Sequence, residues 1–218
     1  MSARKIVIDF WGDITCPFCY LGEHALRRAL SSFEYQDLVE FRWRSCLLHA
    51  DWKVGESRTW NEFKDTISDF DVKRTLEKKE SILKELANRY SLHYNLANAF
   101  SHNSVNAARL LKLANSKSKA LDLALAFGEG YFEEAIDMSQ LRYLREKAVE
   151  VGLSKSEVDE VLSSDLFLDE VNKDQEDALK YAYNYVPTIY FNGSFINEGL
   201  LKEQIITEAL HQTMKEIQ

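Results

Sequence analysis

The chain has 218 residues, of which 45% are hydrophobic and 28% are charged. This is the composition of a globular protein, and it excludes an intrinsically disordered chain, a collagen-like repeat and a small disulfide-stapled scaffold. The formal net charge of −8 is spread along the sequence, so there is no basic cluster for a phosphate backbone and we expect no nucleic-acid partner.

The first 45 residues predict a β-α-β unit. Residues 5–11 are β-branched, aromatic and mostly apolar, which is typical of a buried strand. From Pro17 onward apolar residues recur every three or four positions, which predicts a helix that begins at this proline, with Glu23 on a different side from the apolar stripe. Residues 38–45 alternate in polarity and predict a second strand, parallel to the first.

The rest of the chain predicts helices first and a hairpin near the end. Residues 59–185 contain no proline and read as successive helices, one of them opened by a capping-box pattern at 154–157. A last helix of this block is expected over 166–183. Asn192-Gly193 between two β-rich runs predicts a hairpin, and residues 200–217 predict a closing helix. The element order is that of an α/β fold: β-α-β, a helical insertion, then α-β-β-α.

No targeting or membrane segment is expected. The sequence has no apolar run of the roughly 18 residues that span a bilayer, and residues 1–5 lead into the first strand without an apolar signal core. We therefore expect a cytoplasmic protein without a membrane partner. Thiols stay reduced in that compartment, so a close cysteine pair favours catalysis or metal binding over a structural disulfide.

Such a pair, Cys16-Pro17-Phe18-Cys19, lies where the first strand passes into the first helix. The unpaired N–H groups and the dipole at a helix N-terminus stabilise negative charge, so Cys16 is predicted to be the thiolate nucleophile. Cys19, one turn further on, is predicted to resolve the mixed disulfide formed at Cys16. Pro17 and Phe18, which lie between the two cysteines, are expected to shape the substrate site.

A zinc site is the alternative for these cysteines. Cys46 and His49 have the spacing of a second ligand pair, which together with Cys16 and Cys19 could form a tetrahedral site. A pair that follows a buried strand and opens an amphipathic helix is the context of a thioredoxin-like redox motif. We therefore expect no metal.

The second proline, Pro187, precedes the first strand of the hairpin. Thioredoxin-like enzymes have a cis-proline at the start of the strand facing the dithiol, which leaves the preceding backbone, here that of Val186, free to pair with an extended substrate. A trans-proline at the start of a strand is the alternative. With the dithiol and the hairpin beside it, the cis form is the prediction.

Several other polar residues have open roles. Asp13 could form a turn or move protons during exchange, and Cys46 could be a small buried residue or a third redox thiol. The remaining histidines are expected at the surface: His24, His93, His102 and His211.

The residues quoted above resemble those of a known family. The run from Asp13 to Gly22 (DITCPFCYLG), residues 39–44 (VEFRWR) and the Val-Pro-Thr at 186–188 are similar to the DsbA-like thioredoxin-fold proteins of the FrnE branch, over nearly the full chain. The resemblance implies a thioredoxin-like domain made of residues 1–58 and 165–218, interrupted by an all-helical insertion at 59–164. It implies a thiol–disulfide oxidoreductase or disulfide isomerase that uses Cys16 and Cys19.

A related branch leaves alternatives open. Kappa-class glutathione transferases and hydroxychromene-carboxylate isomerases share this architecture but have one serine at the first cysteine position, so the two cysteines here favour the dithiol branch. A glutathione-dependent isomerase or transferase, a zinc-stabilised binding module and a redox-inactive adaptor are the alternatives. We expect a protein or small-thiol substrate, no cofactor other than the redox-active disulfide, glutathione as a candidate thiol partner, and either a monomer or a homodimer.

Overall fold

The computed structural model of the protein describes residues 4–180 and 185–218. The strands in this part are β1 (Ile6–Gly12), β2 (Val39–Ser45), β3 (Ser57–Thr59), β4 (Phe100–His102), β5 (Thr188–Phe191) and β6 (Ser194–Glu198). The helices are α1 (Pro17–Ser31), α2 (Trp60–Asp65), α3 (Phe70–Ala87), α4 (Val105–Ser116), α5 (Ala120–Gly128), α6 (Leu141–Glu150), α7 (Lys155–Ser163), α8 (Leu168–Lys180) and α9 (Glu203–Ile217).

The central sheet has four strands in the order β2-β1-β5-β6. β1 and β2 are parallel, with Ile6 opposite Val39, so the predicted β-α-β unit is confirmed. β5 runs antiparallel to β1, with Thr188 opposite Trp11. This register brings the start of β5 to the end of β1, from which the chain enters α1.

The predicted hairpin is present at the end of the sheet. β5 and β6 are antiparallel, and the turn residues Asn192 and Gly193 have φ angles of 48° and 81°. Both positive values are those that an Asn-Gly hairpin turn requires. The closing helix α9 begins at Glu203, slightly later than the predicted 200.

The insertion is largely helical, but it is not all-helical. The short strand β4 lies inside it and pairs antiparallel with β3, with Ser57 opposite His102. Three-residue strands are too short to show a period in the sequence, and their partners are far apart along the chain. The division at residues 58 and 164 stays a prediction.

The core lies against one face of β1. Ile6, Ile8 and Phe10 have no exposed surface, and the ring of Phe10 stacks on Trp43 of β2 with centroids 5.4 Å apart. α9 packs on α1 and β1, whereas α4, α5 and α8 pack on β2. These contacts fix the position of α1, whose N-terminus carries both cysteines of the motif.

Two helices also cover the edge of the sheet, α4 inside the predicted insertion and α8 after it. The Asn115 side chain accepts a hydrogen bond from the Trp43 amide at 2.8 Å and donates one to the Trp43 carbonyl at 3.0 Å. Asp174 of α8 accepts from the Ser45 amide at 2.7 Å. Part of the edge of β2 is therefore closed to pairing with another strand.

The helix predicted over 166–183 is present as α8, which begins at Leu168. α8 ends at Lys180, and the predicted continuation through Tyr181 and Tyr183 lies outside the described residues. Within residues 4–180 and 185–218, no helix combines the length and the hydropathy needed to cross a bilayer.

Candidate active site

The N-terminus of α1 carries Cys16 and Cys19. Cys16 is the N-cap residue, with an extended φ of −91° and ψ of 113°, and Pro17 occupies the first helical turn as predicted. The Cys16 side chain is 5% exposed and that of Cys19 has no exposed surface. A sulfur at an N-cap lies where the free amides and the helix dipole stabilise negative charge.

Cys19 lies one turn deeper, and its amide donates to the Cys16 carbonyl at 2.9 Å. Burial raises the pKa of the Cys19 thiol well above its usual range, and a hydrogen bond with Cys16 and the charge of Cys16 raise it further. Cys19 is therefore a thiol when Cys16 is a thiolate. Both cysteines are free in this structure, which is the reduced form of the pair.

The Val186-Pro187 segment lies against Cys16. The Cys16 sulfur is 3.6 Å from the Val186 carbonyl oxygen, to which its thiol donates, and the Val186–Pro187 peptide bond is cis. A Cβ added to Gly22 of α1 would lie 3.1 Å from Pro187 Cγ. The lack of a side chain at Gly22 therefore lets the helix approach the proline closely.

Asp13 holds the turn that leads into α1. Its side chain is 1% exposed and accepts hydrogen bonds from the Thr15 amide at 3.1 Å, the Ser104 hydroxyl at 2.6 Å and the Leu48 amide at 2.7 Å. These bonds join the turn to the segment after β2 and to the start of α4. They support a structural part for Asp13, and its part in proton transfer stays a prediction.

Cys46 follows β2, and its amide donates to the Gly12 carbonyl at 2.9 Å. The side chain is half-buried, and burial raises the pKa of the thiol to about 11, with the charges of Asp13 and Cys16 adding to the effect. Cys46 is thus a neutral thiol at neutral pH. A third redox thiol stays the alternative to a packing role for Cys46.

The candidate zinc ligands do not form a metal centre. In the described part of the chain no group of three or more His, Cys, Asp or Glu side chains has an arrangement that could hold a metal ion. His49 instead packs against Trp52, with ring centroids 4.6 Å apart.

Two of the histidines expected at the surface lie elsewhere. His102 on β4 is 1% exposed, and its Nδ1 lies 3.0 Å from the Phe100 carbonyl oxygen. His24 is half-buried against the ring of Tyr20, at a centroid distance of 4.7 Å. His93 and His211 are exposed as predicted. The prediction of a surface position is wrong for His102, because this residue lies on the buried strand β4. The sequence pattern did not predict that strand.

Sequence reasoning missed Glu23, which lies inside the protein. Its side chain is 1% exposed, and its Oε2 has no hydrogen-bond partner among the described residues. Burial raises the pKa of Glu23 well above its usual range, and the charge of Cys16 raises it further. The spacing gave a signal, because Cys16, Cys19 and Glu23 follow one another at helical steps of three and four.

A cavity of about 550 Å³ opens beside Cys16. Its wall combines the dithiol turn, the segments after Tyr185 and Glu198, and α2 and α3 of the insertion. The apolar lining includes Phe18, Leu48, Trp60, Leu83, Val186 and Leu200. Sequence reasoning placed Phe18 and Val186 at the site, whereas the contribution of α2 and α3 was not predicted.

Tyr94, also missed, supports the turn between the cysteines. Its hydroxyl donates to the Pro17 carbonyl at 2.7 Å, and its ring packs on Tyr20 with centroids 5.7 Å apart. Tyr94 lies in the segment between α3 and β4. The insertion therefore contributes to the geometry of the dithiol as well as to the cavity.

Known structures resemble this fold over nearly its whole length. A probable DsbA oxidoreductase from Streptomyces coelicolor superposes with a TM-score of 0.81 at 26% identity, covering 97% of this chain and 91% of that one. A 2-hydroxychromene-2-carboxylate isomerase has a TM-score of 0.67 at 17% identity, covering 96% and 97%. The cytosolic disulfide reductase DsbM of Pseudomonas aeruginosa has a TM-score of 0.66 at 11% identity, covering 96% and 99%, and is also described with glutathione.

Sequence comparison assigns the family. No curated protein sequence matches the chain. The family model of the DSBA-like thioredoxin domain matches residues 7–210, which is nearly the whole sequence. The assignment to the FrnE branch stays a prediction. The chain belongs to the DSBA-like thioredoxin family.

Proposed function

We propose that the protein is a thiol–disulfide oxidoreductase that exchanges disulfides through Cys16 and Cys19. The observation that carries the proposal is the position of the two sulfurs, one at the N-cap of α1 and one a turn below it without exposed surface. Only the outer sulfur meets the cavity. This arrangement gives the two thiols different tasks.

In the first step the Cys16 thiolate attacks one sulfur of the substrate disulfide. The S–S bond of the substrate breaks, its second sulfur leaves as a thiolate that takes up a proton, and a mixed disulfide forms at Cys16. The helix N-terminus stabilises the attacking thiolate. The backbone of Val186, held beside the sulfur by Pro187, is available to pair with the substrate.

In the second step Cys19 loses its proton and attacks the Cys16 sulfur. The mixed disulfide breaks, the substrate leaves as a second thiol, and a Cys16–Cys19 disulfide remains. The raised pKa of Cys19 keeps this thiol protonated until Cys16 has lost its charge in the mixed disulfide. The order of the two steps thus follows from burial.

We further propose that the protein works in the cytoplasm, where a thiol such as glutathione returns the enzyme disulfide to the dithiol. The net direction depends on the reduction potentials of the enzyme and of the thiol pool. The cytosolic location of DsbM supports this choice for a protein of the same fold.

Exchange with a small disulfide tests the proposal. We expect Cys16→Ser to abolish exchange, and we expect Cys19→Ser to stop after the first step, with one substrate half bound covalently at Cys16. Cys46→Ser is the matched control and should exchange at the rate of the unsubstituted protein. The products are identified by mass spectrometry after an acid quench.

Three outcomes would contradict the proposal. Exchange that survives Cys16→Ser means that Cys16 is not the nucleophile. If Cys16→Ser instead retains a glutathione-dependent isomerase or transferase activity, the protein belongs functionally with the alternative branch. Stoichiometric zinc in the purified protein together with absent exchange would favour the binding module.

A further inference from the structure

The burial of Cys16 restricts what can reach it. With 5% of its side chain exposed, the sulfur does not stand above the surface as a target for a bulky folded partner. It does line the 550 Å³ cavity, which falls within the range of about 300–1,000 Å³ of small-molecule sites. The cavity is therefore the approach to the nucleophile.

One face of α3 forms the wall opposite the dithiol turn. Leu76, Lys79, Glu80 and Leu83 all line the cavity, and their spacing of three, one and three residues places them on one face of the helix. Leu83 is 1% exposed and Leu76 is half-buried. The inner part of this face is apolar, which suits a ring or a branched chain.

Of the two charged side chains on this wall, Glu80 has partners within the protein and Lys79 does not, among the residues that the structure describes. The Glu80 carboxylate pairs with Lys64 at 3.0 Å and accepts a hydrogen bond from the Trp60 indole at 2.6 Å. Lys79 is exposed, and no carboxylate within residues 4–180 and 185–218 lies in ion-pair distance of it. The ammonium group of Lys79 is thus available to a negative charge at the cavity mouth.

We propose that the substrate is a small disulfide whose reacting half carries an apolar ring and an acidic group, bound in this cavity with the ring against Leu76 and Leu83 and the acid near Lys79. The inference rests on the proposed function and specifies its substrate class. In one turnover the substrate disulfide takes two electrons from the dithiol and leaves as two thiols, while Cys16 and Cys19 become a disulfide.

Single-turnover exchange tests this with the full chain, reduced beforehand and freed of reductant. The probes are dithiobis-nitrobenzoate, which has rings with carboxylates, dithiodipyridine, which has neutral rings, hydroxyethyl disulfide, which has neither, and insulin as a protein disulfide. Each rate constant is divided by that of free dithiothreitol with the same probe, which removes the intrinsic reactivity of the disulfide.

Lys79→Gln separates the charge from the cavity. We expect it to slow exchange with dithiobis-nitrobenzoate about three-fold, as for a partly screened ion pair, and to leave the rate with dithiodipyridine unchanged. The matched control is Lys78→Gln, which removes the same charge from the neighbouring exposed position outside the cavity. Equal effects of the two substitutions would overturn the assignment of Lys79.

Leu76→Trp narrows the part of the cavity in which the ring is proposed to bind. We expect about ten-fold slower exchange with both aromatic disulfides, because the ring loses its apolar contact area, and an unchanged rate with hydroxyethyl disulfide. An unchanged aromatic rate, or a normalised rate with insulin equal to that with dithiobis-nitrobenzoate, would overturn the proposed substrate class. Exchange of hydroxyethyl disulfide that persists in Cys16→Ser would instead overturn the proposed function.

Discussion

Glu23 is a carboxyl group buried inside the protein, where the charged form is disfavoured. A buried carboxylate with an oxygen that lacks a hydrogen-bond partner is costly in its ionised form, so the group favours the protonated state when the protein is folded. The neighbouring Cys16 thiolate acts in the same direction, as the raised pKa of Glu23 records. A cost of this kind beside a dithiol makes the stability of the protein depend on pH.

Glu23→Gln is expected to remove that dependence. The pKa of Glu23 is raised in the folded state. Its contribution to the stability of the protein is therefore fully present below the unfolded pKa of about 4.3, and it is lost as the pH rises through the folded pKa. The variant should therefore gain stability relative to the unsubstituted protein as the pH rises above about 4.3. Denaturant unfolding across the acid and neutral range measures the difference.

Glu208→Gln is the matched control for this substitution. Glu208 is exposed on α9, so its stability difference from the unsubstituted protein should change little with pH. A difference for Glu23→Gln that stays constant with pH would contradict the interpretation of Glu23 as a buried, protonated acid.

Gly128 is the second residue with a defined constraint. A Cβ at this position would lie 2.1 Å from Cδ2 of the Tyr20 ring. That ring cannot move easily, because it stacks on Phe132 and its hydroxyl donates to Glu133 at 2.6 Å. Gly128 in α5 is therefore required for the approach of α5 to α1.

Gly128→Ala is expected to lower the free energy of unfolding by about 1–3 kcal/mol, the usual cost of overpacking. Gly130→Ala is the control: its Cβ would meet Met138 Cε at 2.3 Å, the end of a flexible side chain that can turn away. The free energy of unfolding should fall less in Gly130→Ala than in Gly128→Ala. Urea unfolding of both variants decides, and a gain in stability for Gly128→Ala, as helix propensity alone predicts, would contradict the packing argument.

At the scale of the element, a capping-box sequence pattern at the start of a helix does not ensure that the capping hydrogen bonds form. The capping-box pattern at Ser154 does open a helix, α7, but the Ser154 side chain does not cap it: its hydroxyl lies 2.8 Å from that of Ser156, and Glu157 pairs with Lys117. Thr59, which was not singled out, has the complete box with Glu62 at the start of α2. The presence of α7 was predictable from the sequence. The hydrogen-bond and ion-pair partners that the Ser154 and Glu157 side chains take were not.

Removing the two hydroxyls should therefore have unequal effects. Thr59→Ala loses the bond from the Glu62 amide to the threonine hydroxyl, and we expect about five-fold faster amide hydrogen exchange over residues 60–65. Ser154→Ala removes no cap, so exchange over 155–158 should be unchanged. Hydrogen exchange with mass spectrometry resolves both segments, and equal effects would contradict the assignment of the caps.

The same limit applies to strands. β1, β2 and the hairpin are long enough, or have turns specific enough, to be predicted from their sequence pattern. β3 and β4 have three residues each and pair only after α2 and α3 have returned the chain. With β4 unpredicted, the burial of His102 on this strand could not be predicted from the sequence either.

At the scale of the whole molecule, the two cysteines and Pro187 were predictable because the fold brings together the end of β1 and the start of β5. The cavity was not, because its lining comes from segments whose relative positions depend on packing between α3 and the dithiol turn. The sequence identifies the reactive atoms through local spacing. The shape that selects a substrate results from contacts between residues far apart along the chain.

Asp174 connects these distant segments. It is 2% exposed on α8 and pairs with Lys112 of α4, which is 9% exposed, and with Arg44 of β2 at 3.1 Å. Its Oδ2 also accepts from the Ser45 amide. Burial lowers the pKa of Lys112, and the Asp174 charge opposes this. The carboxylate thus neutralises a cation that α4 and α8 enclose against the sheet.

Asp174→Ala is expected to lower the free energy of unfolding by about 3–5 kcal/mol, because it leaves the Lys112 ammonium buried without its counter-charge. The loss should shrink at alkaline pH, since a lysine whose folded pKa is lowered costs less once it is deprotonated. Adding Lys112→Met should recover much of the stability, which keeps the test decisive even where the single variant folds poorly.

Asp159→Ala, which breaks exposed pairs with Arg145 and Lys155, is the control, and its free energy of unfolding should change little. Equal losses at the two aspartates in denaturant unfolding, or no recovery in the double variant, would contradict the role of Asp174 as the counter-charge that joins the sheet to the insertion.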